Sequence, residues 1–466
     1  MAKENEKHAA VELGEDLHRG LSTRQLTMIS IGGVIGVGMF LGSGSTVKLA
    51  GPGVVLSFFL GGVIMFLTML ALGEMSVRKP VAGSFRVYAH DALGPYAGYL
   101  VGVTYALCWM VVMAAEVIAA STYMGFWFPH NITWIFGIAF ALALVAVNLF
   151  DVKFYGEFEF WFASIKVVAI IVFLLLGAGL ILGIGTGQPI GAQNYLGHGG
   201  FFPKGLSGVM LAMIMTVFAY GGTEVVGVAA GETANPEKAI PIAISGILVR
   251  TLVLYLGSMF ILVGVIPWFE VGLRGSPFVL VFQATGIPYA PDIMNFVVIT
   301  AALSGMNCGI YTNSRMIYSL ARGGYVPAFL GNVNKNKVPV NGVWATIALV
   351  FVGVVMYYVS PERAFLWMTS IGSFGFQFTW FMILLSQIYL RKKTPNEQLK
   401  FKMPGAPYTS WFALAALVIV FITQFFMADL RVGAVSGLIW LGLVTLYYMA
   451  VVRGRFNPET LGEKEH

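Results

Sequence analysis

The chain has 466 residues, 58% of them hydrophobic and 11% charged, with a mean hydropathy of +0.80. Soluble domains carry about 25% charged residues, so this composition excludes an ordinary soluble enzyme or binding module and reads as an integral membrane protein. The net charge of +6 is not gathered into a nucleic-acid patch, and two cysteines, Cys108 and Cys308, both in apolar stretches, make neither a disulfide framework nor a metal site.

Residues 1–20 are polar and charged, with no short apolar core and cleavage site, so the first apolar segment is expected to act as a signal-anchor. A hydrocarbon core of about 30 Å needs about 20 apolar residues per helix. Twelve such segments follow, at roughly 27–49, 53–76, 98–126, 133–150, 159–184, 207–231, 243–267, 291–320, 340–360, 362–389, 409–428 and 432–452. Runs such as 167–182 (VVAIIVFLLLGAGLIL) lack the period-two alternation of a membrane β-barrel. The expected fold is therefore all-α, with 12 transmembrane helices. With the N-terminus placed in the cytoplasm, 21 Lys and Arg fall on inside segments and 5 on outside ones, which puts both termini inside.

The first segment is unusual. Residues 31–44 read IGGVIGVGMFLGSG, with Gly32, Gly33, Gly36, Gly38, Gly42 and Gly44. Each interior glycine costs a helix about 1 kcal/mol relative to alanine. Within a bilayer, backbone that leaves the helix must be buried in protein or line a wet cavity, so a broken helix marks a binding site. Freed N–H groups suit a carboxylate and freed carbonyls an ammonium. Close helix packing through small residues is the plainer alternative. The sixth segment carries a second interruption, FAYGGTEVVGVAAG at 218–231. Interrupted segments five spans apart point to an inverted repeat, with 27–184 and 207–389 as the halves. Residues 1–26 form an N-terminal cytoplasmic segment, 409–452 hold two helices outside the repeat, and 453–466 are a cytoplasmic tail.

Ionisable groups inside the membrane are expensive and functional by default. Lys166 lies deep in the fifth segment (FWFASIKVV at 160–168), where a buried amine can gain and lose a proton during a transport cycle and take the place of a coupling sodium ion. Snorkelling to the interface is its plain alternative. Glu224 follows the second break directly, either carrying a proton or pinning freed N–H groups. Glu116, in VMAAEVIAA, either faces the substrate path or pairs with a buried partner, and it is a further proton-coupling candidate. Glu74, four residues before Arg78, is expected to form an i,i+4 pair with it. In the eighth segment Ser304 and Asn307 lie one turn apart, as interhelical glue or as part of the coupling site. Phe218 stands where an aromatic ring can cover a ligand. There is no Walker A sequence, HExxH, GxSxG or CxxC, so neither an enzyme, a cofactor nor a metal is expected, and uphill transport must draw on an ion gradient.

The stretches GGVIGVGMFLGSG, GPG at 51–53, ALGEM at 71–75, GSF at 83–85, YGEFEFWFASIKV at 155–167, GGTEVVGVAAGETANPEKAIP at 221–241 and SRMIYSLARGG at 314–324 resemble the amino acid–polyamine–organocation superfamily. The resemblance covers roughly residues 19–455 and is closest to the bacterial branch of aromatic, proline, lysine and γ-aminobutyrate permeases. It implies a leucine-transporter-type 5+5 inverted repeat plus two extra helices, in the cell membrane, and proton-coupled uptake of an amino acid by alternating access. It also implies that the N–H groups of Gly36, Val37, Gly38 and Met39 receive the substrate carboxylate, and that carbonyls near Ile31, Val34, Phe218, Ala219 and Tyr220 receive its ammonium. Phe218 corresponds to an aromatic gate, Lys166 to a lysine at the otherwise sodium-filled site, Ser304 to its neighbour, and Glu224 to an acidic residue implicated in proton coupling. Selectivity is expected from Trp109, Met113, Gly222 and Ser373. With no carboxylate there beyond Glu116 and Glu224, a neutral amino acid is the expected substrate; a cationic one, or exchange without net proton flux, is the alternative.

Overall fold

In the computed structural model, residues 20–456 are described apart from 130–131, 151, 185–187, 273–274, 349, 360 and 396–398. The expected terminal segments lie mostly outside the described residues. Among the described residues the chain is helical with no β-strand. The helices are α1 (Thr23–Val34), α2 (Val37–Phe40), α3 (Gly42–Ala50), α4 (Val54–Arg78), α5 (Ser84–Leu93), α6 (Pro95–Met124), α7 (Thr133–Asn148) and α8 (Val152–Leu182). After a single turn at Gln193–Leu196 come α9 (Gly205–Tyr220), α10 (Val225–Ala229), α11 (Pro236–Val265), α12 (Pro277–Ala284), α13 (Ala290–Arg322), α14 (Val340–Ala348), α15 (Val350–Val359), α16 (Pro361–Lys393), α17 (Tyr408–Thr423) and α18 (Ala428–Tyr447). Among the described residues, nine helical stretches are long and apolar enough to cross a membrane, and α7 is a shorter apolar helix.

Local chemistry sets several boundaries. Ser22 and Gln25 form a reciprocal capping box that starts α1. Gly94, at φ +94°, makes the sharp turn from α5 into α6, which begins with Pro95 at a position where the missing N–H costs nothing. α11 starts at Asn235–Pro236, seven residues before the expected span, because the helix continues past the apolar stretch. The short helices α5 and α12 were not among the expected elements; Ser276 caps α12 by accepting from the Phe278 N–H and also donates to the Phe40 carbonyl.

α6 is the centre of the bundle, with α5, α13 and α16 packed along it. Burial ranks the helices: 83% of the most apolar stretch of α6 and of α13 is enclosed, against 22% in α18, whose apolar side chains face outward. α8 shows why the interior can hold charge. Side chains seven residues apart lie on one helix face, two turns on. Trp161, Val168, Leu175 and Leu182 are exposed, whereas Glu159, Lys166 and Phe173 are fully buried against α1 and α13. Cys108 and Cys308 are free and buried.

The expected Glu74–Arg78 pair is not formed. Glu74 accepts from Arg391 (2.9 Å), Gln387 (2.9 Å) and the Met403 N–H (2.7 Å), while Arg78 donates to Thr394 Oγ1 (2.6 Å). Neighbouring positions on an isolated helix pair with each other for a few tenths of a kcal/mol. Here both side chains meet the end of α16 and the segment that follows it, and the stronger long-range contacts win.

Candidate functional site

Helix α1 stops at Val34 and the chain restarts as α2 at Val37, so the first apolar segment is interrupted at Ile35–Gly36. The second interruption runs from Gly221 to Glu224, between α9 and α10. The two breaks face each other. Gly222, at φ +97°, has backbone that only glycine adopts readily, and a Cβ there would run into the Gly33 carbonyl. A Cβ on Gly38 would stand 2.7 Å from Ala219 Cα and 3.2 Å from the Phe218 ring. Tyr255, from α11, bridges them: its hydroxyl lies 2.8 Å from the Val34 carbonyl and 3.0 Å from the Ala219 carbonyl.

Each expected ligand group of the backbone can be placed. Gly36 N–H donates to the Val34 carbonyl (2.9 Å), Val37 N–H to Glu116 Oε1 (3.3 Å), and Met39 N–H to the Gly36 carbonyl (3.2 Å). Gly38 N–H lies in the first turn of α2, where a helix start leaves backbone donors without an intrahelical acceptor. The Ile31 carbonyl accepts from Ile35 (3.0 Å) and remains helical, that of Phe218 accepts from Gly221 (3.0 Å), and that of Tyr220 from Thr223. Phe218 is wedged between Gly38, Gly372 and the Phe376 ring, whose centroid is 6.2 Å away. Trp109 also packs on Phe376, at 5.9 Å, and Met113 lies one turn along α6, packed beside Gly309. Ser373 spends its hydroxyl on the Ile214 carbonyl (2.7 Å). Trp109 Nε1, Glu116 Oε2 and Gln377 Oε1 are buried without a partner among the described residues.

Lys166 stands behind the first break. Its ammonium donates to the Gly32 carbonyl (2.6 Å), the Ile35 carbonyl (2.9 Å) and Ser304 Oγ (2.8 Å). An ammonium has three donors and no acceptor, so this set satisfies it completely. Two of the acceptors are carbonyls at the C-terminal end of α1, where the helix dipole favours a cation. Ser304 donates in turn to Glu159 Oε1, and Asn307 donates to Glu159 Oε2 (3.1 Å). Asn148, from the end of α7, donates to Asn307 Oδ1 (2.7 Å). A buried chain thus runs from Lys166 through Ser304 and Glu159 to Asn307 and Asn148.

Glu224 accepts from Tyr105 (2.9 Å), Trp380 Nε1 (3.1 Å) and the Gly222 N–H (3.2 Å to each oxygen). Its neighbours are donors from α6, α16 and the break itself. Glu116 lies between Gly36 and Gly305, each so close that an added Cβ would meet it. A buried pair, Arg315 with Glu232 (2.9 Å), closes the end where α8 begins; Tyr311 also donates to Glu232 and stacks on Tyr155 at 4.3 Å. Next to it, Leu21 and Thr233 form a parallel bridge.

Glu159 and Tyr255 were not among the expected site residues. The signal for Glu159 was present: it precedes Lys166 by seven residues, so the two share one face of α8. For Tyr255 there was none, because an isolated tyrosine in an apolar helix looks like packing.

The family profile named Amino acid permease matches residues 25–456. A Bacillus subtilis protein described as "Uncharacterized amino acid permease YtnA" is 47% identical over 440 residues, covering 93% of this chain and 95% of that one. From the same organism, the "Probable threonine/serine transporter YbxG" is 40% identical over 455 residues, covering 97% and 98%. The "Gamma-aminobutyric acid permease" is 40% identical over 452 residues, covering 96% and 95%. The chain belongs to the amino acid permease family, membrane transporters within the amino acid–polyamine–organocation superfamily.

Proposed function

We propose that the chain is a secondary active permease that takes up a neutral L-amino acid together with a proton, by alternating access. The observation that carries this reading is the Lys166 ammonium bound to two carbonyls at the end of α1 and to Ser304. A neutral amine has only two N–H donors and a lone pair. Loss of the proton therefore withdraws a donor from one of three buried acceptors and loosens α1 from α8 and α13. Protonation and the position of α1 are coupled through one atom. In this reading 27–184 and 207–389 are inverted repeats, both termini are cytoplasmic, and α1 is the moving half-helix on the cytoplasmic side.

The substrate main chain would bind between the two breaks. Gly38 N–H, in the first turn of α2, is the donor for its carboxylate, and Val37 N–H joins it if Glu116 turns away. Carbonyls of Val34 and Ala219 are held toward the same place by Tyr255. Phe218 would close over the ligand. Glu224 is saturated by donors, which leaves no second free carboxylate at the site, among the described residues, to pair a cationic side chain. A relative named for threonine and serine, and another for γ-aminobutyrate, support a zwitterion without net charge. One observation favours a cationic substrate instead: Glu116 Oε2 is buried and unpartnered among the described residues. Uptake of a panel of radiolabelled amino acids into proteoliposomes, with and without an inward proton gradient, tests the reading. Gradient-driven accumulation of a neutral amino acid is expected; accumulation confined to lysine or arginine, or none under a gradient, would contradict it.

A further inference from the structure

We propose that Glu159 is the proton acceptor of Lys166, reached through the Ser304 hydroxyl, and that α1 is the cover that keeps this acceptor dry. The inference rests on the proton-coupled reading above and extends it to the exit path.

The geometry is that of a two-step hydrogen-bonded wire. Lys166 Nζ lies 2.8 Å from Ser304 Oγ, and the Ser304 hydroxyl points its own hydrogen at Glu159 Oε1. Proton transfer requires heavy atoms within about 2.6–3.2 Å. When the ammonium gives a proton to Ser304 Oγ, the hydroxyl hydrogen passes to the carboxylate. The products are a neutral amine, an unchanged serine and a neutral carboxylic acid, so charge and protons balance. Asn307 fixes the other carboxylate oxygen and is itself fixed by Asn148. These amides orient Glu159 without taking the proton.

Two features make Glu159 an exit. First, its backbone lies seven residues, about 10 Å, before that of Lys166 on α8, so the wire leads from Lys166 toward the residue nearer the start of that helix; the charge bias of the sequence assigns that end to the cytoplasm. Second, α1 lies directly on it. A Cβ added to Gly32 would collide with Glu159 Oε1, and the Gly32 carbonyl is the one that Lys166 holds at 2.6 Å. The transfer leaves the N–H groups toward the Gly32 and Ile35 carbonyls in place but removes the positive charge that strengthens both bonds, so the hold on the segment covering Glu159 weakens. Water then reaches the carboxylic acid and removes its proton. The other titratable groups around the pair are Glu116 from α6, Cys308 from α13 and Tyr155 on α8. α1 contributes only backbone here, since its Arg24 pairs with Glu157 on the outer side.

The test compares Glu159→Gln, Ser304→Ala and Ser304→Thr with the unmodified protein and Lys166→Met in proteoliposomes. Two rates are read: proton-gradient-driven uptake, and counterflow of the same amino acid, which needs no net proton movement. Glu159→Gln and Ser304→Ala are expected to lower gradient-driven uptake at least about tenfold, a loss typical of removing a proton-transfer group, and to leave counterflow within about twofold. Ser304→Thr keeps the hydroxyl and restores coupling. Where Glu159→Gln fails in counterflow too, the Ser304 pair decides: an uncoupled alanine with a coupled threonine supports the wire, and two coupled variants overturn it. Gradient-driven uptake intact in Glu159→Gln and Ser304→Ala, beside its loss in Lys166→Met, would overturn the wire while leaving Lys166 as the coupling group. An unmodified protein indifferent to the gradient would overturn both.

Discussion

Replacing Glu224 by glutamine tests whether that residue holds the second break open or carries the transported proton. Its carboxylate accepts from Tyr105, Trp380 and the Gly222 N–H, all fully buried partners. Glutamine keeps one acceptor oxygen and presents an NH2 where the other stood. Tyr105 can turn and accept, but the Trp380 and Gly222 N–H groups can only donate. With its oxygen toward Trp380 and Gly222, the glutamine leaves one buried donor, the Tyr105 hydroxyl, without its acceptor, at about 1–3 kcal/mol. At about 1.4 kcal/mol per decade, the intact broken-helix geometry becomes about 5- to 140-fold less favoured. Glu224→Gln should therefore lower gradient-driven uptake and counterflow together, and lower the melting temperature of the purified protein. Counterflow and melting temperature at unmodified values, with accumulation alone abolished, would refute the capping role and make Glu224 a proton carrier.

Two further substitutions probe the backbone of the site. Tyr255→Phe removes the hydroxyl shared by the Val34 and Ala219 carbonyls, a loss of about 1–2 kcal/mol; substrate KM should rise about five- to thirtyfold with expression unchanged, and an unaltered KM would show that the bridge does not shape the site. Gly222→Ala places a Cβ at φ +97° against the Gly33 carbonyl. The conformation alone costs about 1–2 kcal/mol, so both uptake and counterflow should be lost, whereas Gly272→Ala, where an added Cβ meets nothing within 4 Å, should transport normally.

Much of this arrangement was legible in the residues. Six glycines within fourteen positions announced the first break, and GGTE the second, because glycine cannot be ignored in a membrane helix. Lys166 stood out as a charge in an apolar run, and Ser304 and Asn307 as one polar face. What was not legible depended on which face each side chain took. Glu157 and Glu159 sit two residues apart in one aromatic-rich stretch, yet Glu157 is exposed and paired with Arg24, whereas Glu159 is buried beneath α1. Only the seven-residue spacing to Lys166 separates them. Glu74 had Arg78 at the helical spacing, but its partner came from 317 positions away on α16, a contact that no local rule reaches. Arg315, near the end of the eighth apolar segment, reads from sequence as one more positive charge; it lies buried, ion-paired with Glu232 and over the Tyr311 ring.

The central claim is that the Lys166 proton couples the gradient to transport. The most direct measurement compares gradient-driven accumulation and counterflow of one amino acid in proteoliposomes holding either the unmodified protein or Lys166→Met. The account predicts accumulation in the unmodified protein, its loss in Lys166→Met, and counterflow preserved in both. Accumulation unchanged in Lys166→Met would contradict it and move the coupling proton to another buried carboxylate.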